Sequence, residues 1–233
     1  MKNKIMLIKT PLLKGEVREI APNIFGVVVK DRYQRGMLFC RYQEFYESPY
    51  KEIRGKHFTL EQYMDLYRTK NKKHSFTYPS DWSGYNIPSE TLWKALDVFS
   101  KSGRREYDEI MSSIIHSCEN YPLRFDKSRV KRWYLLGADS FDSSTMDHEI
   151  SHGLYYTNKE YRKNCDSLIS EIKKGDYNKM KKQLIKIGYA DDSKIIDDEI
   201  QAYMSTGLIS IFDINSLKKY TKGFEKNFKS YRK

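Results

Sequence analysis

Three observations on this 233-residue sequence predict an α+β fold. Strand-like and helix-like segments mix irregularly up to residue 130, one apolar strand-like run follows at residues 132–137, and the apolar spacing is helical almost throughout beyond it. The chain thus divides into a mixed α/β region, 1–130, to which no family is assigned, and a mostly helical region, 131–233, ending in a basic tail; the two also read as one continuous domain.

Residues 5–8 and 26–30 are short apolar runs and read as strands, with Pro22 and Asn23 as turn punctuation between them. Residues 37–46 are rich in aromatics, which favours another strand. Leu60, Tyr63, Met64 and Tyr67 recur at helical spacing behind Thr59, so residues 59–67 read as a helix. A loop is expected over 70–88, carrying Pro79, Gly84 and Pro88. Its segment from Asp81 to Pro88 reads either as a turn around a buried Trp82 or as one wall of a substrate cleft. Helices follow over 89–99, opened by Pro88-Ser89, and over 106–117. After the strand at 132–137, residues 144–156 form a helix for which Ser143, Ser144 and Thr145 are cap candidates, with Ser144 and Asp147 at capping-box spacing. Gly153 inside that helix costs about 1 kcal/mol relative to Ala, which points to an element packed closely against it. Further helices are expected over 159–173, 177–187, 195–205 and 215–231.

Composition bounds the function classes. Hydrophobic residues make 39% and charged residues 31%, the balance of a soluble globular protein. No run of eighteen apolar residues exists, which excludes a membrane-spanning helix, and the apolar run after the basic start is too short for a signal-peptide core. Three widely spaced cysteines, Cys40, Cys118 and Cys165, make no disulfide framework, so a reducing, cytoplasmic setting is expected. A net charge of +11 raises nucleic acid as a partner. Phe39, Tyr42, Phe45, Tyr46 and Tyr50 interleave with Arg41 and Lys51, and residues 218–233 hold seven Lys or Arg against Glu225. A solvated helix face explains the tail as well, and no nucleic-acid module signature is present, so nucleic-acid binding is not the favoured reading.

The chemistry is concentrated at His148-Glu149-Ile150-Ser151-His152. Four residues apart on a helix, the two imidazoles share a face and suit one zinc ion, with Glu149 one position round as a base for a water at that metal. Charge follows the motif. Residues 133–158 contain no Lys or Arg, while Asp139, Asp142, Asp147 and Glu149 fall within them. A second acidic island, 189–217, holds Asp191, Asp192, Asp197, Asp198, Glu199 and Asp213 against Lys194 alone. Coulomb attraction favours a divalent cation where these islands meet.

With Thr145 three residues before His148, uncharged Ile150, Ser151 and Gly153, and then Leu154, the segment resembles the extended signature of zincin metallopeptidases. Asn158 stands where the metzincin branch carries a third His, and no His follows His152, so the resemblance is to the gluzincin branch. That resemblance covers about residues 131–206. It implies a zincin-like fold with an edge strand before the metal helix, Zn2+ as cofactor, a peptide or protein substrate, and a Glu from a later helix as third ligand. Glu199, forty-seven residues after His152, is the best match, with Asp197 or Asp198 as alternatives. Gluzincins often place Asp four positions after that Glu; here the position is Tyr203, which leaves open what orients the first His. Tyr203 and Tyr189 are candidates to stabilise an oxyanion. His57, His74 and His116 read as surface or core histidines that line the site only if the fold brings them there. The expected activity is zinc-dependent peptide hydrolysis with Glu149 as general base. The alternatives are a zinc-containing interaction module without turnover and a basic nucleic-acid-associated protein.

Overall fold

The computed structural model describes residues 4–101, 105–121 and 132–232. The strands are β1 (Lys4–Lys9), β2 (Lys14–Ala21), β3 (Ile24–Val28), β4 (Tyr85–Pro88) and β5 (Tyr134–Ala138). The helices are α1 (Arg32–Glu47), α2 (Leu60–Lys70), α3 (Tyr78–Asp81), α4 (Ser89–Ser100), α5 (Glu106–Glu119), α6 (Ser144–Thr157), α7 (Lys159–Ser170), α8 (Lys174–Lys186), α9 (Ser193–Thr206) and α10 (Lys218–Tyr231). The protein is α+β, as its sequence predicts, and among the described residues no helix is long and apolar enough to cross a membrane.

All five strands form one sheet in the order β1-β2-β3-β5-β4. Only the β3–β5 pair is parallel; the other three pairings are antiparallel. Pro22 and Asn23 turn the chain between β2 and β3, and Asn23 has φ 62°, a left-handed conformation that Asn tolerates better than most residues. β2 was hidden in the sequence by its charges. Lys14, Glu16, Arg18 and Glu19 are not buried, Arg18 pairs with Glu16 at 2.9 Å, and only Val17 and Ala21 are buried.

Two segments differ from expectation. Residues 37–46 belong to helix α1, not to a strand. The helix is capped by Asp31, whose carboxylate accepts the Gln34 N–H at 2.8 Å. It buries ten consecutive or near-consecutive residues, including Leu38, Phe39, Cys40 and Tyr42, so it shows no polar face from which a helical period could be read. Gly36 allows it to touch Pro79, and the bare Cα of Gly137 on β5 makes room for the Phe39 ring. The second difference concerns the edge strand expected before the metal helix. That strand, β5, lies between β3 and β4, and β4 forms the edge. Every residue of β5 is buried, as in a central strand, whereas β4 is four residues long and ends in Pro88, which an edge tolerates. β4 lies in the segment expected to be a loop, as does the short helix α3.

Successive residues of the sheet feed opposite cores. Phe25, Val27 and Leu135 join the apolar cluster formed with α1, α2, α4 and α5; Ile24, Tyr134 and Leu136 join the one formed with α6 to α10. Helix α6 lies across the second face. Ser143 caps it by accepting the Met146 N–H at 3.1 Å, so the cap is Ser143 and not the Ser144 box. A Cβ on Gly153 would stand 3.0 Å from two Ile24 carbons, so β3 is the close neighbour that this glycine signalled. Helix α9 packs against α6 and stops at Gly207, φ 72°, in the left-handed cap glycine favours.

Candidate metal centre

Helix periodicity places His148 and His152 on the face of α6 turned towards α9, which returns Glu199 to meet them, and Glu149 one position round, against Asn86 and Gly84. All four are at least nine-tenths buried. His148 Nε2 and His152 Nε2 are 3.3 Å apart. Glu199 lies 3.6 Å from the first nitrogen through Oε2 and 3.5 Å from the second through Oε1. One donor atom from each residue falls within 4.8 Å of the others. A tetrahedral cation with bonds of about 2.0–2.1 Å separates its ligand atoms by about 3.3–3.4 Å, so these spacings fit one ion. Glu199 Oε2 and His148 Nδ1 are buried without a hydrogen-bond partner among the described residues. An unsatisfied carboxylate oxygen beside two imidazoles is the donor set a divalent cation completes.

The two alternative carboxylates are otherwise engaged. Asp198 accepts from His152 Nδ1 at 2.8 Å and from Gln201 Nε2 at 2.9 Å, orienting the imidazole from behind. Asp197 accepts from the Tyr177 hydroxyl at 2.7 Å. The histidine oriented by a carboxylate is therefore the second of the pair. His148 is instead held by the Tyr203 ring, with centroids 4.5 Å apart. Tyr203 and Tyr189 share the cavity wall, their hydroxyls 3.4 Å apart.

Burial opposes charge on His152, but Asp198, Glu199 and Glu149 together outweigh it and hold the imidazolium well above its ordinary range. Burial likewise opposes ionisation of Glu199, and His152 and His148 overcome it, leaving that carboxyl below its usual value. Glu149 goes the other way. Its burial dominates the pull of the two histidines and raises its pKa. Asn86 Nδ2 donates to Glu149 Oε2 at 2.9 Å, and Asn86 Oδ1 accepts from the Tyr134 hydroxyl at 2.7 Å, so β4 and β5 fix the carboxylate. Gly84 closes over it; an added Cβ would stand 2.0 Å from Glu149 Oε1.

A cavity of about 650 Å³ opens onto these groups, and Trp82 to Asn86 line it, which favours the cleft-wall reading of that segment over a purely structural turn. His57, His74 and His116 are exposed, and none of them lines it. Phe39, Tyr42 and Phe45 are buried in the core and present no ring for base stacking. The basic tail is an amphipathic helix that buries Thr221, Phe224 and Phe228 and packs against α9. The three cysteines are free and buried. Sequence reasoning missed Asn86, which carries no pattern in a four-residue strand, and two carboxylates of α1, Glu44, inside the segment read as a strand, and Glu47, just beyond it.

Glu44 has a measurable signature. Burial pushes it from 4.5 up to about 7. Between those values the folded chain keeps a proton that the unfolded chain releases, so stability falls as pH rises through the window, by about 3 kcal/mol in all. Urea titrations at pH 5 and pH 8 are expected to show Glu44→Gln gaining on the wild type at the higher pH; identical pH profiles would remove the assignment.

The chain matches no known family model, no curated protein and no solved structure.

Proposed function

We propose that this protein is a zinc-dependent hydrolase of the gluzincin type, acting on peptide bonds. The supporting observation is the juxtaposition of three buried donors, His148, His152 and Glu199, with a fourth carboxylate, Glu149, at one cavity. His148, His152 and Glu199 would hold the zinc. A bound zinc supplies a Lewis acid that brings a water's pKa towards neutrality and polarises a carbonyl oxygen. Glu149 would accept the proton of the attacking water and return it to the departing amine. Asn86 holds the carboxylate in place by its hydrogen bond. The Tyr203 phenol, kept protonated by burial and by Glu199, donates to the oxygen that gains charge, with Tyr189 beside it.

Elemental analysis of the purified chain is expected to give one zinc per molecule, and a mixed peptide library is expected to be cleaved. A metal-loaded chain that cleaves no peptide would reduce the site to a structural one. Asn86→Ala is expected to keep the metal and lower kcat/KM roughly ten- to hundredfold, the range for losing a group that orients a reacting residue. Unchanged kinetics in that variant would mean Glu149 is positioned without it.

A further inference from the structure

The cavity holds acidic groups that the proposed hydrolysis leaves unused. Glu44 and Glu47 lie three residues apart on α1, on one face, and both line the cavity that contains His148 and Glu199. Lys73 is the one Lys or Arg among the described residues lining it, and its ammonium is taken by Asp81 at 2.7 Å. Glu44 is 7% exposed, the Ser48, Tyr63 and Tyr78 hydroxyls are turned to its carboxyl, and the Tyr85 hydroxyl on the same wall is buried without a hydrogen-bond partner. Burial above all, and then Glu199 and Asp198, disfavour charge on Glu47, against His152 and the Gln43 Nε2 donor. In a chain of net charge +11, no Lys or Arg among the described residues lining the cavity pairs with either carboxyl.

The same wall is aromatic. Tyr63 and Tyr78 pack edge to face at 5.5 Å beside the Glu44 carboxyl, with Tyr67 and Trp82 next to them. Phenol faces attract an organic cation, and a buried carboxylate needs one.

We infer that the part of the cavity walled by α1, α2 and α3 is a subsite for an organic cation of the substrate, an ammonium or guanidinium group, with Glu47 and Glu44 as its counter-charges and the tyrosines as its walls. This deepens the hydrolase reading and rests on it for the word substrate. The shared chemistry is a cation on an apolar stem; a free α-amine and a Lys or Arg side chain both supply it.

Binding without turnover separates the two ideas. In the Glu149→Gln background, NMR titration would compare N-acetyl-lysine methylamide, norleucine methylamide and N-acetyl-norleucine methylamide. These present a side-chain cation, an α-ammonium and no charge. The expected result is that one of the first two binds at least tenfold more tightly than the third, and which one wins identifies the source. That preference is expected to vanish on adding Glu47→Gln and to weaken on adding Glu44→Gln, with the fold checked by the zinc content of each variant. Equal binding of all three probes, no binding of any, or a preference that survives both substitutions would overturn the subsite. A cation preference in a protein that cleaves no peptide would leave the subsite standing and sink the hydrolase reading alone.

Discussion

Glu149→Gln is expected to retain zinc at the wild-type level and to hydrolyse peptides roughly 10²–10⁴-fold more slowly, the range for removing a general base. The substitution changes little else. Gln matches Glu in shape, and its amide oxygen still accepts from Asn86, which now donates to Oε2 at 2.9 Å. Gly84 packs against the carboxylate without a side chain, so the site has room for this isostere and little room for anything larger. What disappears is the capacity to take a proton from water. Steady-state kinetics on a cleaved peptide, run beside elemental analysis, would decide it. Full activity with full zinc would assign the base elsewhere and end the proposed mechanism.

The second large effect concerns the metal. His148→Ala and Glu199→Ala are each expected to lose zinc on purification, whereas Asp197→Ala keeps it. The reason is positional. Glu199 reaches both imidazole nitrogens within 3.6 Å, while Asp197 spends its carboxylate on Tyr177. Asp198→Ala should fall between, binding zinc about 10–100-fold more weakly, because it orients His152 without joining the donor set. Metal titrations of the four variants would rank the carboxylates directly. Zinc lost from Asp197→Ala and kept in Glu199→Ala would reverse the assignment. His148→Ala and Glu199→Ala are also expected to melt earlier than the metal-loaded wild type, since ligation free energy adds to folding free energy.

The meeting of His148, Glu149, His152 and Glu199 was legible in the sequence because its parts are local. His148, Glu149 and His152 lie within one helical turn and a half, and Glu199 sits in the second of two acidic islands, the first of which holds the motif itself. The helices beyond residue 144 were legible for a similar reason, since each has an apolar stripe against one core. What failed was burial on all sides. Helix α1 packs apolar and aromatic residues around most of its circumference, so the aromatics of 37–46 suggested a strand, and the helical spacing that puts Glu44 and Glu47 on one face was lost with it. Sheet order was not legible either. Nothing local in Tyr85 to Pro88 says that these four residues pair with β5 and take the edge. The role of Asn86 depends on that pairing, because it brings the amide across from β4 to Glu149.

β5 enters the sheet between two strands that precede it in the chain, pairing with β3 on one side and β4 on the other. During synthesis, therefore, the strand that joins β3 to β4 arrives after both of them, leaving a slot one strand in from the β4 edge of the sheet. Both lips of the slot are unpaired backbone until residues 134–138 arrive to fill it. Helix α6 leans on Ile24 through Gly153 and follows β5 directly, so it docks only after the slot has closed. Glu199 is later still. The residues proposed to hold the metal are thus brought together only after the sheet has closed, because Glu199 is made later than β5.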